Sequence, residues 1–243
     1  MKYTEAFRVK WHDTSADRSV RLSEILAYMQ ETANLQVKNS CAESLDEIRD
    51  TKKLAFILSK IKLVFHAPLY AYDDIKVRTW VCESRGYTFI RCFDIYRQEE
   101  LIAEGISFWA LVDIDNGKLV KSGDFSLGIE PEAPLDIDVP RRIKISEECL
   151  EVLGEREIRY SDIDYNMHMN NTKYPDMICD HLPIDKIRSV REMTLEFLHE
   201  STFGDKLTVK GASDGEHYLF KTVNKSGDTC LVADVLIGQS DII

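Results

Sequence analysis

Asp164, Asn166 and His168 stand two residues apart in the run DIDYNMHMNN (162–171), which two further asparagines close. Short polar side chains at this density suit neither a strand interior nor a helix interior, because Asn and Asp compete there for backbone hydrogen bonds. In an extended segment, residues at i, i+2 and i+4 face one side. The spacing therefore predicts a carboxylate, an amide and an imidazole on one face, with Tyr165, Met167 and Met169 turned to the core. The chemistry open to such a set is the orientation and activation of a water molecule by hydrogen bonding and proton transfer. Asp162 and Asn171 read as caps, and a helix starting near Asn170 or Asn171 would offer unpaired N–H groups with partial positive charge.

Few helices are available to position these residues. Leu22, Ile25, Leu26, Met29 and Ala33 recur at helical spacing and predict one helix over 22–37. A second, shorter helix follows Asn171 and carries Tyr174, Met177 and Ile178; Pro175 is tolerable only in its first turn. The remainder reads as strands rich in β-branched and aromatic residues, such as DIKVRTWVCES, YTFIRCFDIYR, REMTLEFLHE and TCLVADVLIG. The order strand, helix, four strands occurs twice. Asp73–Val77 falls on Asp205–Val209, and at the same spacing Ile61, Leu63 and Phe65 fall on Met193, Leu195 and Phe197. Upstream, Asp17 is placed on Asp164, which puts Ser19 and Arg21 where Asn166 and His168 stand. The first half then holds no comparable polar set. The expected organisation is α+β: an N-terminal domain over 1–127, a linker over 128–155 holding Pro131, Pro134 and Pro140, and a C-terminal domain over 156–243. In each, a curved antiparallel sheet wraps a long helix, and two such units can pair edge to edge.

Composition narrows the function classes. The 243 residues are 44% hydrophobic and 30% charged, enough apolar material for a real core. A formal net charge of −11 argues against a nucleic-acid binder. No window is long and apolar enough to predict a membrane span, and MKYTEAFRVKWHD lacks the apolar stretch of a signal peptide. Six cysteines without CxxC or Cys/His metal spacing read as reduced thiols of a cytoplasmic protein, with no metal or redox cofactor expected. His12, His66, His181, His199 and His217 read as structural or exposed. Basic stretches at 140–145 (PRRIKI), Lys52-Lys53 and Lys60-x-Lys62 read first as solvated charge, though they could meet an acidic partner.

The run SDIDYNMHMNNTKY resembles the signature of acyl-acyl carrier protein thioesterases: Asp, Asn two later, His two after that, then an Asn-Asn pair leading to a Tyr. ADRSVRLSEILAYMQETA (16–33) is similar to the N-terminal helix of the same family. The resemblance implies two tandem hotdog domains, each a helix wrapped by its sheet, and catalytic Asp164, Asn166 and His168. It adds Glu200, since LEFLHES matches the segment in which the family carries its catalytic carboxylate. Ser201 stands where plant members usually have Cys, so no cysteine nucleophile is available there. The implied reaction is hydrolysis of fatty acyl-acyl carrier protein to free fatty acid and holo-carrier, in the C-terminal domain, while the N-terminal domain holds substrate. Glu200 is expected as the general base, with Asp164 holding Asn166 or His168. An acyl-coenzyme A thioesterase and a non-catalytic acyl- or carrier-binding module are the alternatives; a hotdog dehydratase is disfavoured because no HFPG-like loop precedes either helix. The implied partner is acylated carrier protein, and pairing with a second copy stays open.

Overall fold

The computed structural model of the chain describes residues 2–139 and 141–238; Pro140, expected in the linker, lies outside them. The chain divides into two compact units, one formed by 2–138 apart from 21–23 and 62–65, the other by those two short pieces and the residues from 139 onward.

The first unit runs β1 (Tyr3–Arg8), α1 (Leu22–Ser40), α2 (Leu45–Lys52), β2 (Leu54–Phe65), β3 (Asp74–Arg85), β4 (Thr88–Arg97), β5 (Glu100–Asp113) and β6 (Lys118–Val120). The long helix starts where its apolar stripe starts and ends slightly later than predicted. α2 escaped the sequence reading because only Ile48 of its residues is buried; a Ser44–Glu47 capping box starts it and left-handed Lys53 stops it. The strands lie in the order β1-β3-β4-β5-β2, with β6 paired antiparallel to the end of β5. Alternation sets the antiparallel registers, for example Val77 opposite Ile95 and Cys92 opposite Ile106. Tyr28 of α1 packs on Phe7 of β1 at 5.1 Å between ring centroids, and Met29 is fully buried.

The second unit comprises β7 (Glu151–Glu157), α3 (Tyr174–Cys179), β8 (Val190–Phe197), β9 (Lys206–Ser213), β10 (His217–Val223) and β11 (Thr229–Ile237). Its strand order, β7-β9-β10-β11-β8, repeats that of the first unit element for element. Two expectations need correction. α3 has six residues rather than the length of a wrapped hotdog helix. Pro175 is confined to its first turn, as expected, and Pro183 lies just beyond the closing bonds of Asp180 and His181, so the ladder has little room. β7 begins inside the stretch read as linker, because an edge strand of alternating exposed charge looks like a solvated connection.

The loops before the two helices share a hydrogen-bond pattern, and it gives a different alignment from the one read in the sequence. Ser15 N–H bonds Ser19 O and Arg18 N–H bonds Ser15 O; Asp164 N–H bonds His168 O and Met167 N–H bonds Asp164 O. Val20 N–H reaches Leu69 O as Met169 N–H reaches Ser201 O, and buried Asp13 and Asp162 accept from Lys10 N–H and Arg159 N–H. Arg18 and Met167 both have positive φ. Ser15, Asp17 and Ser19 are therefore the counterparts of Asp164, Asn166 and His168, and Arg21 is that of Asn170. Strand counterparts keep the spacing read from the sequence, with Asp73 accepting from Tyr70 N–H as Asp205 accepts from Thr202 N–H.

Candidate active site

The polar run is a tight reversal rather than an extended segment. Ile163 and Met169 face each other across an antiparallel bridge, and Met167 turns the chain at φ 66°. Asp164 shapes this turn: its Oδ1 accepts the Asn166 N–H at 2.8 Å, and its Oδ2 meets Asn166 Nδ2 at 3.5 Å. A reversal breaks the two-residue alternation, so only Met169 of the three apolar residues is buried. Tyr165 and Met167 are 71% and 57% exposed, against expectation.

Two segments distant in sequence meet here. His168 bridges to Thr202 and Met169 N–H donates to Ser201 O at 2.8 Å, which ties the reversal to the loop after β8. Glu200 sits in that loop, three residues beyond the strand end. The tie brings His168 Nε2 to 3.2 Å from Glu200 Oε2, with both side chains partly open to solvent. The pair can hold one imidazole tautomer and pass a proton, and its exposure gives a water access to the carboxylate. The Glu200 side chain is 51% exposed, so it is placed by this tie rather than by burial.

Asn170, not Asn171, is the helix cap, its Oδ1 accepting from Thr172 N–H at 2.9 Å. Lys173 N–H goes to Asn170 O and Tyr174 N–H to Asn171 O, and Pro175 has no N–H. Of the free amides expected at this end, Asn171 N–H is the one without a partner among the described residues. Asn166 Oδ1 is also buried and without a partner there. An unmet buried amide end costs about 1–3 kcal/mol, a cost that sites carry more often than cores.

Asp162 caps no helix. Buried, it accepts from Arg156 Nη2 at 2.5 Å and from Arg159 N–H at 2.9 Å, and its carbonyl accepts Asn170 N–H, so it braces the base of the reversal. Ser201 is 1% exposed; its Oγ accepts from the Tyr174 hydroxyl at 3.2 Å, and the Cys230 thiol lies beside it. Burial pushes the Tyr174 phenol up to about 12, so it stays protonated. The sequence reading placed Tyr174 on the short helix and Cys230 among the reduced thiols; only the fold packs them behind Ser201. In the first unit Asp17 Oδ1 gathers Ser15 Oγ, Ser19 Oγ and Ser19 N–H, and Pro68 occupies the place of Glu200. Ser19 and Pro68 thus stand where the second unit has its imidazole and its carboxylate.

The N-terminal acyl-ACP thioesterase domain matches residues 1–124 and the C-terminal acyl-ACP thioesterase domain matches residues 151–235. The chain belongs to the acyl-ACP thioesterase family. It is 25% identical over 218 residues to the chloroplastic acyl-[acyl-carrier-protein] hydrolase FATB2 of Cuphea viscosissima, covering 82% of this chain and 52% of that protein. It is likewise 25% identical over 214 residues to the chloroplastic palmitoyl-acyl carrier protein thioesterase of Arabidopsis thaliana, with the same coverage. The chain thus spans about half the length of the curated relatives it matches. An acyl-ACP thioesterase of Bacteroides thetaiotaomicron superposes with a TM-score of 0.88 over 98% of both chains at 19% identity. The 12:0-ACP thioesterase of Umbellularia californica gives 0.80, also at 19% identity, over 97% of this chain and 96% of that one. The hotdog fold of this thioesterase family is therefore the fold of this chain, with the second helix shortened.

Proposed function

We propose that this chain hydrolyses the thioester of fatty acyl-acyl carrier protein to free fatty acid and holo-carrier. The observation that carries the reading is the His168–Glu200 pair at 3.2 Å, joined across two loops of the second unit. Glu200 Oε2 faces the imidazole, which leaves Oε1 to accept a proton from water as that water attacks the thioester carbonyl. Asn171 N–H is the backbone donor suited to the developing oxyanion, and the unpartnered Asn166 Oδ1 is suited to accept a hydrogen bond from a substrate group or water beside it. The departing sulfur takes the proton and leaves as the carrier's thiol. Asp164 holds Asn166 and the reversal and is not the base. The second unit is the catalytic one and the first holds substrate, a division supported by the serines and Pro68 at the counterpart positions. The proposed setting is the cytoplasm, where the six free cysteines stay reduced. Among the described residues no helix is long and apolar enough to cross a membrane.

Thiol release from one acyl chain presented on carrier protein and on coenzyme A tests the reading. Turnover on carrier protein at least tenfold above that on coenzyme A, abolished by His168→Ala, is expected. Preference for coenzyme A would replace the substrate and keep the chemistry. Binding of acylated carrier without thiol release would make the chain a binding module.

A further inference from the structure

Arg91, at the middle of β4, is only 8% exposed. A buried guanidinium is ordinarily matched by a carboxylate. Arg91 instead donates through Nη1 to Gln36 Oε1 of α1 at 2.5 Å and to Thr79 Oγ1 of β3 at 3.1 Å. Its Nε and Nη2 have no partner among the described residues. The titratable groups that act on it are the thiols of Cys41, Cys82 and Cys92, and burial without a counter-charge pulls its pKa down to about 10.

The edge left over is the one that other arginines of this chain use on carboxylates. Arg8 meets Asp74 through Nε and Nη2 at 2.7 and 2.8 Å, and Arg78 meets Asp94 through the same two atoms at 2.6 Å each. That side-on fork fits a carboxylate in two parallel hydrogen bonds. Gln36 and Thr79 hold the Nη1 side, and along the strand the wall is apolar: Phe89 and Phe93 flank Arg91 on the same face of β4, and Phe89 packs edge-on against Phe56. The hotdog unit does not require an arginine here. At the equivalent register of the second unit, opposite Ser213 as Arg91 is opposite Val81, stands Tyr218, whose hydroxyl accepts from Lys186.

One fork offsets one negative charge, and an apolar wall favours an alkyl chain over a hydrated polyanion. We propose that Arg91 anchors a binding site in the first unit for an alkyl monocarboxylate, its carboxylate held by Nε and Nη2. With the hydrolase reading above, the natural occupant is the released fatty acid. That identity rests on the reading; the site does not.

Calorimetric titration of the purified chain with decanoate and with decan-1-ol, both below their aggregation limits, tests the site without turnover. Decanoate is expected to bind at least tenfold more tightly than the alcohol, and Arg91→Gln to erase that difference. Equal binding of acid and alcohol by the wild-type chain overturns the proposal. So does binding of neither, or undiminished decanoate binding by a folded Arg91→Gln chain. If that variant fails to fold, the wild-type preference for acid over alcohol decides alone. Thiol release is measured in parallel. A chain that discriminates but hydrolyses nothing keeps the site and loses the hydrolase; one that hydrolyses without discriminating does the reverse.

Discussion

At the residue scale, the roles of Glu200, His168, Asp164 and Ser201 separate by what each touches. Asp164 already accepts the Asn166 amide hydrogen and lies in the turn, whereas Glu200 faces the imidazole and solvent. Glu200→Gln keeps the shape and removes the base, so kcat is expected to fall by about 10²–10⁴ with KM little changed. Near wild-type kcat in Glu200→Gln, with the loss appearing in Asp164→Asn, would exchange the two roles. Ser201 has a phenol and a thiol as neighbours and no imidazole–carboxylate pair to activate it. Ser201→Ala is expected to stay within about tenfold of wild type. A trapped acyl-serine in mass spectra would refute direct attack by water. The counterpart of His168 in the first unit is Ser19, whose hydroxyl donates to Asp17 of its own turn, so Ser19→Ala should leave the chemical step intact while His168→Ala does not. Single-turnover rates of the two variants make that comparison.

At the element scale, the reversal depends on its brace and the sheets on their edges. Asp162 is buried with hydrogen bonds from Arg156 and from the Arg159 amide, so Asp162→Ala is expected to cost about 1.5–3 kcal/mol. Urea unfolding measures it, and a change under about 0.5 kcal/mol would mean that the turn holds without its brace. On β10, the hydrogen bond from His217 Nδ1 to Asp234 raises the imidazole above its ordinary 6.5. The folded state therefore favours the protonated ring. This contribution is fully present below the unfolded pKa and is lost as pH rises through the higher folded one. His217 is nearly half exposed, so the pair is worth only a few tenths of a kcal/mol, roughly the value of a screened surface pair. Asp234→Asn should lower the urea midpoint at pH 5.5 and leave it unchanged at pH 9; the opposite dependence would contradict the assignment.

At the scale of the whole molecule, a net charge of −11 sets how an acidic carrier protein would arrive. Two acidic partners gain nothing from long-range steering, and local basic groups act only within a screening length of about 10 Å at 0.1 M salt. For acylated carrier, kcat/KM is expected to hold or rise as salt increases from about 20 to 200 mM. A steep fall would show that a basic patch dominates the encounter despite the global charge. Stopped-flow thiol detection at several salt concentrations resolves the two.

The sequence by itself determined much of this protein. Its apolar stripe began α1 at Leu22, its alternation set strands whose order occurs twice, and its polar run with the LEFLHES segment carried the family and four candidate residues. Each of these is local, since propensity, period and motif spacing operate over a few residues. The meeting of His168 with Glu200 was beyond it, because that distance is set by the tie from Met169 to Ser201 across two loops. So was the correct repeat alignment: Asp17 matched Asp164 by residue type, yet the hydrogen bonds of the turn equate it with Asn166. The unmatched fork of Arg91 was equally hidden, since one arginine in a strand says nothing of what lies opposite. Partners distant in the chain are chosen by packing, and packing is decided only when the sheet closes on its helix.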